Sequence, residues 1–330
     1  MSLLKNLGRL LLAGMFMASA ATTWAAAACQ ASNGTGSLGT TISSFSVYNA
    51  QQSTTATSGI KCTGSLVSLL GTNVVTVTIA NSANKTGTQA RLLNTTTGAD
   101  YVPYIICKDS SCGTVYNVGS SITWSSTSLL GLLGLFNNSD GSLPLYIRTM
   151  TGARVAAGNY TDTLTLNWTW QLCDLGVGGL CLVITGSGTS TVGLSMGVVN
   201  DCVLTAPNVL FGVAPLANGF ADVNQVVQVV CTKGASYTVG MSNGNNWSGT
   251  VRQMKSTAGG FLQYDIYKPD STRWGPTGTD RRSSSAADAN AGTYDGVTTQ
   301  GYNYRASVIQ TQTTPATGAY TDLITLDILF

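Results

Sequence analysis

Gly158-Asn159-Tyr160-Thr161-Asp162-Thr163-Leu164-Thr165-Leu166-Asn167 returns near the other end of the chain as Gly318-Ala319-Tyr320-Thr321-Asp322-Leu323-Ile324-Thr325-Leu326-Asp327. From Leu164 and from Ile324 onward, both copies alternate apolar with polar residues, which puts the apolar side chains on one face of a β-strand. A second correspondence stands at the head of each half. Cys29 and Cys62 bracket Phe45, as Cys202 and Cys231 bracket Phe211, and the second cysteines are followed by Thr63-Gly64 and Thr232-Lys233-Gly234. Two landmarks in the same order identify a duplication. The chain is built twice.

The rest of the sequence agrees with a strand-based unit. Val75-Thr76-Val77-Thr78-Ile79 alternates, and Val226 to Cys231 reads as a more buried strand. Turn clusters such as Asn243-Gly244-Asn245-Asn246 separate such runs. All fourteen acids are Asp, and Glu and His are absent. The chain is poor in helix formers and rich in residues of strands and turns. Short strands with regular turns predict an all-β protein of two tandem immunoglobulin-like sandwiches.

The first residues read as a secretory signal peptide over 1–25. Lys5 and Arg9 precede the apolar run Leu10 to Ala21, and small residues follow near Ala25. That run is too short to cross a hydrocarbon core of roughly 30 Å. A lipid attached at Cys29 would leave an odd number of the eight cysteines in an oxidising compartment, so cleavage near Ala25 or Ala27 is expected. Without Lys5 and Arg9 the chain is near neutral and has no basic tract for nucleic acid.

The expected domains are 26–194 and 195–330. Connectivity is open from sequence alone, but Cys29 with Cys62 and Cys202 with Cys231 read as long-range pairs, while Cys107 with Cys112 and Cys173 with Cys181 read as local ones. Each long-range bridge is worth roughly 3–4 kcal/mol in the chain-entropy picture. No metal or other cofactor is expected, since there is neither His nor a CxxC pair.

The opening Cys…Phe…Cys unit and the closing Gly-x-Tyr-x-Asp strand resemble the spore coat protein U-like family, the subunits of archaic (Csu-type) chaperone–usher pili. The resemblance covers nearly all of the mature chain. It implies sandwiches lacking one strand, which a periplasmic chaperone and then the next pilin subunit supply by strand addition, with assembly at an outer-membrane usher. Cys29 follows the expected cleavage site closely, leaving no donor segment, so the resemblance implies a two-domain tip adhesin, periplasmic during assembly and then extracellular. Its second domain would take the foreign strand along Ile324, Leu326, Ile328 and Phe330. The alternating stretch Leu182 to Leu194 would complete the first domain internally.

Three apolar clusters are hard to place in a sandwich. They contain Leu66, Val67, Leu69 and Leu70; then Leu129, Leu130, Leu132, Leu133, Leu135 and Phe136; then Leu175, Val177 and Leu180. By the same resemblance they are exposed loops gripping a hydrophobic, abiotic or host surface and supporting biofilm. Each fully buried leucine contributes roughly 1.5–3 kcal/mol to such a contact. The residue-level alternative is that these runs are core. An enzyme is disfavoured without His or Glu for acid–base work, and Asp280-Arg281-Arg282 reads as a solvated loop. Two other roles remain: a lectin-type adhesin stacking sugars on Trp124, Trp168, Trp170 or Trp247, and a purely structural coat or fibre subunit.

Overall fold

The computed structural model describes residues 28–63, 73–126, 143–174 and 182–330. The expected signal peptide lies outside the described residues. The first half contains β1 (Ala28–Ser32), β2 (Gly34–Ser37), β3 (Ile42–Ser43), β4 (Ser53–Ala56), β5 (Gly59–Thr63), β6 (Asn73–Ser82), β7 (Arg91–Asn94), β8 (Tyr101–Cys107), β9 (Val115–Tyr116), β10 (Ser121–Ser126), β11 (Leu145–Thr149), β12 (Gly158–Asp174) and β13 (Leu182–Val199). The second contains β14 (Cys202–Thr205), β15 (Val223–Cys231), β16 (Thr238–Met241), β17 (Arg252–Ser256), β18 (Phe261–Tyr267), β19 (Arg282–Ser283), β20 (Gln300–Val308), β21 (Tyr320–Thr321) and β22 (Leu326–Leu329). One short helix, α1 (Ser44–Asn49), interrupts the first half.

Period-two patterning builds the strands. In β6, Val75, Val77 and Ile79 are buried, while Thr76 and Thr78 face out and bond Thr123 and Ser121 across the strand at 3.0 and 2.8 Å. One layer of the first sandwich runs β10-β6-β12-β13, and the other runs β7-β8-β11-β4. The layers join where β12 pairs β7 through Tyr160 and Thr161 before crossing to β6. β13 is antiparallel to β12 along its full length, from Gly158↔Val198 to Asp174↔Leu182, and parallel to β2 and β3. It closes the sandwich.

The second sandwich repeats this plan without a counterpart of β13. β19-β16-β22 stands for β10-β6-β12, and β17-β18-β20-β15-β14 forms the other sheet with β21. Among the described residues nothing pairs with the outer edge of β22, the place that β13 occupies in the first domain. Two separate apolar cores result, one drawn from Leu38 to Val198 and the other from Ala217 to Val308.

The repeated phrase has the same job in both domains. Tyr160 donates its hydroxyl to the Ala156 carbonyl at 2.7 Å, as Tyr320 does to Ala316 at 2.6 Å. Asp162 accepts from the Tyr104 hydroxyl at 2.5 Å, and Asp322 from the Tyr264 hydroxyl at 2.7 Å. Backbone amides of Asn84 and Asn245 complete the two carboxylates at 3.1 and 2.9 Å. Burial first, and then the neighbouring carboxylate, push the Tyr104 phenol well above its usual range, so it stays protonated and donating.

The domains meet at a short polar junction. Ser43 donates to Asp201 at 2.5 Å, Ser44 and Thr232 share a buried bond of 2.7 Å, and Arg154 donates to the Gly296 carbonyl at 3.0 Å. Lys233 pairs with Asp100 across the same junction. Cys107–Cys112 and Cys202–Cys231 are bonded. Cys29 is also in a disulfide and stands opposite Cys62 in strand register. The pairing read for Cys173 and Cys181 falls outside the described side chains.

Four expectations are corrected. The boundary drawn at 194 cuts through β13, which continues to Val199 because Met196 and Val198 keep the inward alternation of Val192 and Leu194. Phe45 is no counterpart of Phe211: it lies on α1 at the domain junction, and the residue as far from Cys29 as Phe211 is from Cys202 is buried Leu38. Val226 faces solvent, so β15 is half-buried and alternating. Arg281 and Arg282 are not solvated, being buried against Asp327 at 2.7 Å and Asp288 at 2.8 Å.

Tyr104→Phe removes one donor from the buried Asp162 and is expected to cost the first domain about 1–3 kcal/mol in urea unfolding. Since folding raises this phenol's pKa, its contribution is full below about pH 10 and fades as pH climbs further. The difference between wild type and Tyr104→Phe is therefore expected to narrow only in strong alkali.

Candidate functional site

Two regions stand apart from the filled cores. The first is the end of the first sandwich remote from the junction. All thirteen residues of the three apolar clusters lie outside the described residues, so only the strands that bracket them can be placed. β10 ends at Ser126, opposite Asn73, the first residue of β6. β12 runs past that level, from Gln171 opposite Val74 to its last pair, Asp174↔Leu182. β5 ends at Thr63, opposite Ala28 of β1, and β1 packs on β13 where Ala31 meets Gly188. Segments 64–72, 127–142 and 175–181 therefore all leave from strands that stop at this one end.

Beneath those strand ends lies a slab of indoles. Trp124 and Trp168 stack with centroids 6.0 Å apart. Trp168 donates its ring N–H to Ser190 at 2.8 Å, and Ser190 shares a bond of 3.0 Å with Ser58. Trp170 lies over Gly186 so closely that a Cβ there would sit 2.6 Å from the ring. Trp124, Trp168 and Trp170 are thus buried and offer no face to a sugar. Trp247 belongs to the second domain, half-buried with the Arg273 guanidinium 4.5 Å above its ring.

The second region is a cleft of about 410 Å³ along the unpaired edge of β22. Its walls include Val209, Phe211, Met241, Tyr264, Ile324 and Leu326. Ile324, Leu326 and Ile328 are half-buried against the second core. Phe330 is 58% exposed and is not among the residues lining the cleft. Opposite β22, residues 206–211 belong to no ladder, and over 208–211 their side chains alternate out and in as a strand's would, with Val209 and Phe211 inward. Both flanks of a missing strand are present.

Of the residues read from the sequence as strand-accepting, Ile324 and Leu326 line this cleft, while its other wall was not read from the sequence. Leu210, Val213 and Leu323 are 77%, 102% and 64% exposed. The available signal was a comparison of the two repeats: Leu323 replaces the polar Thr163 at an outward position. The cleft holds no arrangement for catalysis. It is a largely apolar slot between two edges that pair with no strand among the described residues, and what it can do is pair.

The Spore Coat Protein U domain model matches residues 15–167 and 188–327. Among solved structures, the CsuC–CsuE chaperone–tip adhesion subunit pre-assembly complex from archaic chaperone-usher Csu pili of Acinetobacter baumannii is similar to the chain at 28% identity. The match covers 92% of this chain and 100% of that one with a TM-score of 0.65. The CupB6 tip adhesin from Pseudomonas aeruginosa matches at 12% identity over 91% and 92% of the two chains, with a TM-score of 0.31. None of the curated proteins gives a significant match.

If β13 is what seals the first core, Leu194→Ala should destabilise the first domain by about 2–5 kcal/mol, as a buried leucine truncation does. Thermal unfolding followed by tryptophan fluorescence checks this, and the slab of Trp124, Trp168 and Trp170 reports the domain concerned.

Proposed function

The chain belongs to the Spore Coat Protein U domain family, and on that premise we propose that it is the two-domain tip adhesin of a chaperone–usher pilus. The observation that carries this reading is the contrast between its two sandwiches. The first is filled by its own β13, whereas the second leaves the edge of β22 open beside an apolar cleft. A periplasmic chaperone fills that edge before assembly, and a strand of the next subunit fills it in the fibre. The Acinetobacter protein that the chain resembles was captured with its chaperone in a pre-assembly complex. The usher passes the subunit outward, and the first domain is then displayed beyond the cell.

Contact with a surface falls to the first domain. Segments 64–72, 127–142 and 175–181 carry its three apolar clusters and issue from the end remote from the second domain. Their leucines grip hydrophobic, abiotic or host surfaces and promote biofilm, and many pili on one cell add avidity. Burial of Trp124, Trp168 and Trp170 withholds three of the four indoles that a sugar-binding reading would use.

Replacing Leu132, Leu133 and Val177 with serine tests this. Secretion and unfolding should stay unchanged, while affinity for polystyrene falls on the order of a hundredfold or more, from the apolar burial removed. A variant that no longer folds would place these residues in the core and overturn the reading. So would a folded variant that adheres as before.

A further inference from the structure

The duplication supplies a template for the strand that completes the second domain. Aligning the repeated phrases sets Tyr160, Asp162 and Leu164 on Tyr320, Asp322 and Ile324. In the first domain Met196, Leu194 and Val192 stand opposite those three positions from β13. On its other side β13 pairs β2 in parallel, with Ser195 opposite Ser37. Counting from Cys29 and from Cys202, Ser37 corresponds to Leu210 and Leu38 to Phe211.

The inward sides of the two sites are alike, and the outward sides are not. In the first domain the outward neighbours of β13 are polar and exposed: Ser37 on one flank, Thr163 and Thr169 on the other. Their counterparts in the second domain are Leu210, Leu323 and Leu329, the last of them 55% exposed, while Thr161, Thr165 and Asn167 keep polar counterparts in Thr321, Thr325 and Asp327. β13 answers its polar neighbours with small or polar residues, Gly193 opposite Thr163, Ser187 opposite Thr169, and Ser195 between Thr161 and Ser37. At these three positions a strand in the second site meets leucines where β13 meets hydroxyls. Cross-strand neighbours of like polarity stabilise a sheet, and a strand covered on both faces reads as a continuous apolar run.

We propose that the strand supplied to the second domain, set antiparallel to β22 as β13 is to β12, is apolar on both faces over five consecutive residues. Three of these face inward opposite Ile324, Asp322 and Tyr320, and the two between them face outward to cover Leu323 and Leu210. β13 is therefore a guide to direction and register but not to composition, being apolar on its inward face alone over residues 192–196. This proposal rests on the cleft being a strand-accepting site.

The test titrates the full mature chain with two fluorescein-labelled peptides, read by anisotropy. Both carry Val, Leu and Met at the three inward positions; one has Leu at the two intervening positions, the other Thr. The leucine peptide should bind at least about five-fold more tightly to the wild-type chain, as expected for apolar cross-strand pairs. In Leu210→Ser/Leu323→Thr, which copies the first domain's outward chemistry, that preference should fall to parity. Equal binding of the two peptides to the wild type overturns the proposal, and this arm decides even if the variant does not fold. A preference that survives in the folded variant overturns it too. Binding of neither peptide overturns the strand-accepting reading itself.

Discussion

A half-buried sheet edge with an apolar core behind it must be covered, and this constraint organises the whole molecule. Backbone amides and carbonyls at such an edge have no partner, and the side chains beneath them stay in contact with water. The first domain meets the constraint with β13, which bonds β12 on one side and β2 and β3 on the other. Val192, Leu194, Met196 and Val198 then complete its core. The second domain has both flanks and no strand between them. Its half-buried Ile324, Leu326 and Ile328 mark where the core stops short.

The same constraint explains why the repeated phrase is kept. Tyr160 and Tyr320 tie the start of the strand to a carbonyl just upstream, and Asp162 and Asp322 tie it to a tyrosine of the facing sheet. These bonds fix where the strand enters the sandwich, and so which of its residues face the core. The strand next to it is filled in one domain and vacant in the other, yet the anchoring is the same. Openness at β22 is a local property of one edge of an otherwise intact sandwich.

Much of this was legible in the residues because it rests on short-range pattern. Alternation in Val75 to Ile79 and in Leu164 to Leu172 specifies strands, and the double Tyr-Thr-Asp specifies the duplication. What was illegible depends on distant partners or on breaks in pattern. Glycines at 193 and 197 blur the alternation of β13, and the close approach of Gly197 to the Thr40 carbonyl is visible only in three dimensions. Arg281 and Arg282 looked solvated because Asp327 and Asp288, and the Trp274 ring beside Arg282, are brought to them by the fold. α1 displaced the cysteine-to-phenylalanine spacing, so Phe45 was matched to the wrong residue. Outward leucines such as Leu210 and Leu323 gain meaning only once the empty flank between them is seen.

The central claim is that β22 and residues 206–211 are the two banks of one vacant strand position. Amide hydrogen exchange on the full mature chain, free and bound to its purified periplasmic chaperone, tests it most directly. The account predicts fast exchange of the edge-facing amides of 206–211 and 324–329 in the free chain, strong protection of both segments on binding, and no change in β12 or β13. Protection of those amides in the free chain, or binding that protects the first domain instead, would contradict it.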